Sequence, residues 1–237
     1  MQNYGSAENF RGYVIFQPPE LPVNKTPHLR YLPNPETVRS RRTVVDQVHE
    51  ILLDAIKSGE LKAGDPLHDQ TWAAHLKVSR TPIREAIKRM ENYGTVSIAP
   101  ARYTRITTFT PEQARQEATD WALIHLALTS ALDLSRDPTL ISDLDTLRTR
   151  AHTADQAQHD VAIFDFFDRL RTASQNFSLT IGATAAAYRL RLAQPLLPSN
   201  PAANHTLCAD IITALSSNTV DTLPSVFTRW STAVTQN

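Results

Sequence analysis

Cysteine occurs once in 237 residues, at Cys208, which excludes an internal disulfide framework and any zinc site built from several thiolates. Glycine occurs only six times. The chain has no Gly-rich phosphate loop, no His-Glu-x-x-His and no Gly-x-Ser-x-Gly elbow. Enzymatic activity is therefore not expected. No uninterrupted apolar run approaches a membrane span, and the start MQNYGSAENFRGYVIF lacks a basic stretch followed by a long apolar core. A cytoplasmic protein with no membrane partner is expected. Lysine is absent from residues 107–237 altogether.

What is present points to a mostly helical, globular chain: 41% of residues are apolar, and the length suits two domains or one domain with a smaller module. The formal net charge of zero hides an asymmetry. Residues 38–106 hold twelve basic and eight acidic side chains, whereas residues 107–237 hold nine and thirteen. A split of this kind suggests two modules with different partners, the first favouring a polyanion. Proline divides the chain the same way. Six of the fifteen prolines lie in residues 1–37, which show no sustained periodicity. We read 1–37 as an irregular arm, either a loose tail or a strap on the body, with a short extended piece at GYVIF.

From residue 40 the pattern sharpens. Val44, Val48, Ile51, Leu52 and Ala55 share one helical face, and Gly59 offers a left-handed stop. ELKAGDPL reads as a turn-rich connection. A short second helix from about His68 or Asp69 would bury Trp72, Ala73 and Leu76. After a tight turn, VSRTPIREAIKRM (residues 78–90) begins a third helix. Ser79 or Thr81 is placed to cap it, Pro82 lies in its first turn, and Ile83, Ala86, Ile87 and Met90 form a buried stripe. TVSI and TRITTF then read as two short strands around APARY.

Three helices and a hairpin in under seventy residues make a winged helix-turn-helix. A major groove admits an α-helix, whose N-terminal turn and Ser/Thr hydroxyls hold phosphate while arginine forks reach guanine edges. Arg80 and Arg84 are one turn apart, so both can enter the groove while Ile83 and Ile87 hold the helix to its domain. The alternative for this helix is a merely solvated basic face.

The stretch AIKSGELKAGDPLHDQTWAAHLKVSRTPIREAIKRMENYGTV resembles the N-terminal domain of GntR-type bacterial transcription regulators, over about residues 44–106. Their pattern runs roughly L-A-x-x-L-G-V-S-R-T-P-V-R-E-A-L. The resemblance implies DNA contacts from Ser79, Arg80, Thr81 and Arg84 on the third helix. It adds Gln70 on the second helix and Arg102 at the wing tip. The chain departs from the pattern in three places. Lys77 stands where glycine is preferred at a turn of positive φ, Tyr103 stands near the usual wing glycine, and Trp72 replaces a leucine.

Residues 107–237 read as six helices, at about 111–134, 138–154, 158–175, 177–193, 203–216 and 221–235. Apolar stripes mark most of them: Ala118/Trp121/Ala122/His125/Leu128/Leu132, Ile163/Phe164/Phe167/Leu170, Leu207/Cys208/Ile211/Ile212/Leu215 and Leu223/Val226/Phe227/Trp230. The arrangement resembles the FCD domain, the all-helical effector-binding and dimerising half of one branch of the same family, through FDRLRTASQN and CADIITALSSNTVDTL. Many such domains hold a divalent metal on one Asp and three His. The resemblance aligns those positions with Phe164, Asp168, Cys208 and Trp230, a set that cannot complete a coordination shell. Neither metal nor other cofactor is expected.

Several side chains keep two readings. His125 is either a hydrogen-bonded core histidine or an effector ligand. Asp168 either pairs with Arg189 or Arg191 or faces an effector, and those arginines could instead grip an effector carboxylate. Cys208 is a small buried hydrophobe or a redox sensor, and Trp230 is core or a stacking wall. The expectation is thus a mainly α chain: an arm over 1–37, a winged helix-turn-helix over 38–108 and an all-helical domain over 109–237. Its expected function is a homodimeric regulator of a pseudo-palindromic DNA operator, repressing rather than activating, with a possible small-molecule effector. The alternatives are a helical half that only dimerises or meets a protein partner, and a helical enzyme with an incidental basic helix.

Overall fold

The protein's structure, a computed structural model, describes residues 9–10, 13–14 and 43–236. Two short strands, β1 (Asn9–Phe10) and β2 (Tyr13–Val14), pair antiparallel with Phe10 opposite Tyr13. The second of them falls within GYVIF, and the rest of the proline-rich arm lies outside the described residues. The chain separates into two packed units, Met1–Thr107 and Thr108–Asn237.

Helix α1 (Val44–Ser58) starts on a reciprocal cap: the Thr43 hydroxyl accepts from the Asp46 N–H, and the Asp46 carboxylate accepts from the Thr43 N–H. It ends at Gly59, whose φ of 81° is open to glycine without steric penalty. Its buried face is Val48, Leu52, Leu53, Ala55 and Ile56. Val44, expected to point inward, is exposed in the first turn, and Ile51 is only half-buried, because the stripe centres on Leu52 and Ile56. Helix α2 (Asp69–Leu76) buries Trp72 and Ala73 but only partly covers Leu76. Helix α3 (Arg80–Asn92) packs against α1 and α2 through Ile83, Ala86, Ile87 and Met90, the stripe expected from the sequence. Fully burying side chains of this size stabilises by roughly 1.5–3 kcal/mol each.

Strands β3 (Val96–Ala99) and β4 (Tyr103–Ile106) form the hairpin, with Val96 opposite Ile106 and Ala99 opposite Tyr103. The connection ELKAGDPL does more than turn. Its Leu67 N–H donates to the Thr104 carbonyl (2.9 Å), and the Ile106 N–H donates to the Asp65 carbonyl (2.8 Å). These bonds lay residues 64–67 along the free edge of β4 and bury Leu67 beside Ile106 in the unit's core.

The second unit is six helices: α4 (Pro111–Ser130), α5 (Leu140–Thr153), α6 (Gln156–Ala173), α7 (Phe177–Ala193), α8 (Pro201–Ser216) and α9 (Leu223–Thr235). Side-chain caps open four of them: Thr110, Asp155, Asn176 and Asn200 each accept from an N–H three residues on. Pro111 and Pro201 sit in first turns, where no N–H is needed. The helices pack in a closed circuit, α4–α7–α6–α5–α8–α9 and back to α4, in which neither α4 and α5 nor α7 and α8 are neighbours. Trp121 of α4 lies at an aromatic centre, its ring 4.3 Å from His125, 4.5 Å from Phe167 and 4.5 Å from Trp230 between centroids. The fold is mainly α, a winged helix-turn-helix followed by an all-helical unit.

Candidate functional site

The outward face of α3 carries Arg80, Thr81, Arg84 and Lys88, all exposed, opposite the buried Ile83/Ile87 stripe. Ser79 is the N-cap, with extended backbone (φ −70°, ψ 164°), and its hydroxyl makes no capping bond. The first N–H groups of α3 and that hydroxyl are therefore available to an anion. Two arginines converge on one carboxylate. Arg80 donates through Nε (3.2 Å) and Nη2 (3.0 Å) to Asp69, and Arg84 Nε donates to the same carboxylate at 2.6 Å. Partial desolvation would raise the Asp69 pKa, but the hydrogen bonds from Arg84 and Arg80 outweigh it and hold the carboxyl below its ordinary range. The arginine side chains stay 52% and 64% exposed, so two forks sharing one negative charge present a net positive, oriented surface. Lys88 and Arg89 are drawn to Glu91 and Asp46 instead.

The wing is built by a tight turn. The Arg102 N–H donates to the Ala99 carbonyl (3.0 Å), with Pro100 at the second position and Ala101 at the third with φ 58°. Proline followed by a positive φ is the type II pattern. Arg102 is exposed on this tip, and the Arg105 guanidinium lies 4.2 Å from the centroid of the exposed Tyr103 ring. Tyr103, near the position where the family's wings usually carry glycine, is an ordinary strand residue paired to Ala99, and the left-handed position of the wing falls on Ala101. Gln70 is exposed in the first turn of α2. Lys77 closes α2 with φ 54° and ψ 39°, the left-handed turn the sequence suggested.

The helical unit contains a cavity of about 320 Å³. Its apolar wall is Trp121, Phe164, Phe167 and Trp230, and its charged groups are Arg171, Arg191 and Asp160. Trp230 Nε1–H donates to Asn204 at 2.9 Å. Arg191 donates to Asp160 (3.4 Å) and to Gln194 (3.1 Å), and Gln194 in turn donates to Asp160 (3.1 Å), so this corner is largely self-compensated. Among the described residues no group of three or more His, Cys, Asp or Glu is placed to share a metal.

Residues 44–106 match the model for bacterial regulatory proteins of the gntR family. The winged unit is similar to that family's. No curated protein matches the chain. Among solved structures, a GntR protein of Rhodococcus sp. RHA1 described as a transcriptional regulator superposes with a TM-score of 0.64 at 20% identity, covering 79% of this chain and 93% of its own. Escherichia coli McbR/YncC superposes with a TM-score of 0.57 at 20% identity, covering 79% and 95%. At that identity the likeness is one of fold, and it spans both units.

Gln70, Ser79, Arg80, Thr81, Arg84 and Arg102 all lie exposed on the first unit, which holds the matched residues. The six residues singled out in the helical unit do not come together. Phe164 and Trp230 line the cavity; His125, Asp168, Arg189 and Cys208 do not. Asp168 falls beyond the edge of the α6 stripe, its side chain 51% exposed, and pairs with Arg171 rather than with Arg189 or Arg191. Arg189 pairs with Glu117 across α4 and α7, and Arg191 with Asp160. His125 is fully buried, donates Nδ1–H to the Trp121 carbonyl (2.9 Å), and has its pKa lowered to about 3, first by burial and then by Arg171. Cys208 is fully buried, and burial pushes its thiol pKa up, opposite to what a redox sensor needs. Sequence reasoning missed Asp69 and Arg171. The signal for Arg171 was present: it falls three, four and seven positions on from Asp168, Phe167 and Phe164, in line with the apolar stripe.

Proposed function

We propose that the chain is a sequence-specific repressor that binds a pseudo-palindromic operator as a homodimer, its helical unit of FCD type both dimerising and answering to a small molecule. The carrying observation is the Arg80–Asp69–Arg84 cluster. It holds two half-exposed guanidinium groups side by side on a helix anchored from behind by Ile83 and Ile87. Side chains so placed reach guanine edges in a major groove, while Ser79, Thr81 and Gln70 meet the flanking phosphates and Arg102 the neighbouring backbone. A dimer follows from half-site geometry. It is supported by exposed Leu123 on α4 and exposed Phe177 and Ile181 on α7, two helices packed on each other. An effector acts by binding one arrangement of the dimer better than another, since equal affinity shifts nothing.

The test uses duplexes selected from a random pool by the wild-type protein. Arg84→Ala should weaken binding to the selected sequence by about 1–3 kcal/mol, relax preference at one position of each half-site and leave the helical signal unchanged. Undiminished, equally selective binding by this variant would remove Arg84 from the reading head.

A further inference from the structure

Three imidazoles meet where α5, α6 and α8 come together. His205 of α8 packs edge-on against His152 of α5 and against His159 of α6, with 4.9 Å between ring centroids in each pair. His152 is exposed, His205 half-buried and His159 buried. The hydrogen bonds of His159 fix its tautomer. Its Nδ1 lies 3.1 Å from the Ala151 carbonyl, in the last turn of α5 where no N–H of that helix remains to bond it, so Nδ1 carries the proton and donates. Nε2 is then an acceptor, and the Asn204 amide nitrogen faces it at 3.4 Å. The amide is held in that sense from its other side. An indole N–H can only donate, and Trp230 Nε1–H donates to Asn204 Oδ1 at 2.9 Å. Asn204 and Trp230 both line the cavity. A chain of hydrogen bonds with one allowed direction thus runs from the cavity wall through Asn204 into the histidine cluster.

Beyond the DNA-binding reading and independent of it, we propose that a proton on His159 and the Trp230–Asn204 hydrogen bond exclude one another, so that this wall of the cavity is a proton-sensitive latch. An imidazolium has two donors and no acceptor. Its Nε2–H would meet the Asn204 amide nitrogen, donor against donor. Turning the amide offers Oδ1 to His159 but sets the amide nitrogen against the Trp230 N–H. The conflict therefore moves along the chain and ends on an indole N–H that has lost its acceptor. The charged groups around the cluster do not relieve it. Arg148 and His152 approach from α5 and His205 from α8, and the pKa of His205 is lowered first by burial and then by His159, His152 and Arg148, with no acid acting on it. Asp160, next to His159 on α6, is engaged by Gln156, Gln194 and Arg191 of α7. The other charges of α8 and α9, Asp210 and Arg229, pair with each other. Neutral imidazoles keep Trp230 tied, and acidification through the range in which histidine ordinarily titrates releases it.

The test is nitrogen-15 NMR of the imidazole and indole rings of the full chain, titrated from pH 8 to 5, with the Trp230 signal identified by its loss in Trp230→Phe. At pH 8 the His159 ring should show the Nδ1–H tautomer. On acidification the Trp230 indole should shift with the same midpoint as the His159 ring, while the indoles of Trp72 and Trp121 stay in place. His159→Gln has no proton to gain, so its Trp230 signal should hold still across the titration. Should that variant not fold, Asn204→Asp decides instead. A carboxylate accepts from Trp230 and from a protonated His159 together, so the His159 midpoint should rise by about one pH unit or more while Trp230 stays in place. A His159 ring that takes no proton before the chain unfolds, a Trp230 signal that ignores it, or a Trp230 shift that persists in the folded variants overturns the proposal. None of these readouts depends on DNA, so loss of the latch and loss of the operator reading are told apart.

Discussion

At the scale of single residues, three described positions carry side chains at positive φ: Asn218 (φ 54°), of a type that tolerates it, and two where glycine would be easier. Lys77 (φ 54°) closes α2 and Ala101 (φ 58°) forms the wing turn. In the left-handed region a Cβ crowds the following carbonyl, at roughly 1–2 kcal/mol per residue. Lys77→Gly should therefore stabilise the protein by about 1 kcal/mol in chemical denaturation, since the larger backbone entropy of glycine in the unfolded chain offsets part of the relief. Lys77 is exposed and its backbone N–H bonds the Ala73 carbonyl whatever the side chain, so no contact is lost in exchange. The residue scale also shows where sequence reading works. Lys77 was legible because a turn between two strongly patterned helices leaves little choice of backbone. Ala101 was not, because Pro100 and Ala101 in APARY fit several turn types until the strand register is known. Asp168 was misplaced for a related reason: two positions at helical spacing identify a stripe but not its edge, and the edge decided between a cavity wall and a solvent-facing ion pair.

At the scale of elements, the winged unit was almost wholly readable. Helices α1 and α3 are strongly amphipathic, α1 is bounded by Thr43 and Gly59, and the short α2 lies between them, so periodicity and punctuation place all three. What escaped was the pairing between elements: residues 64–67 lying along β4, and Asp69 of α2 reaching across to Arg80 and Arg84 of α3. Both are tertiary contacts between segments that carry no mark of their partner. Asp69 has a consequence for specificity. It fixes the direction of both forks, and it cancels one of their two charges. Asp69→Asn should raise affinity for arbitrary duplex DNA and steepen the dependence of log K on log salt by about one unit, as one more phosphate is neutralised. Discrimination for the selected operator should drop by about 1 kcal/mol, because the freed arginines no longer hold one orientation. Salt titrations on operator and non-operator duplexes, run in parallel, separate these two effects. A variant with unchanged salt slope and unchanged selectivity would mean that Asp69 neither offsets nor aims the arginines.

At the scale of the whole molecule, the helical unit shows why helix count can be read while site geometry cannot. Apolar stripes and the breaks between them announce six helices, but the closed circuit that brings α4 against α7 and α9 sets which stripe faces the cavity. That circuit also buries a titratable group at its centre. His125, stacked on Trp121, is fully covered, and its pKa is lowered from 6.5 to about 3 by burial and by Arg171. The sign follows directly. Between pH 3 and 6.5 the unfolded chain holds a proton on this residue that the folded chain refuses. Stability is therefore fully present above pH 6.5 and falls as the pH drops through the window, by about 1.4 kcal/mol per pH unit for one proton. Asp46, held near pKa 2 chiefly by Arg89, adds acid sensitivity only below the ordinary aspartate range, so it does not contribute between pH 6 and 5. His49, His75 and His205, also lowered by burial, push the same way but are partly exposed to water. Denaturant titrations at pH 7, 6 and 5 should show the slope in the wild type and lose about one proton of it in His125→Gln, which keeps a donor for the Trp121 carbonyl. Parallel slopes in the two proteins would show that the proton reaches His125 without unfolding the bundle, and that the aromatic centre around Trp121 is open enough to admit a charge.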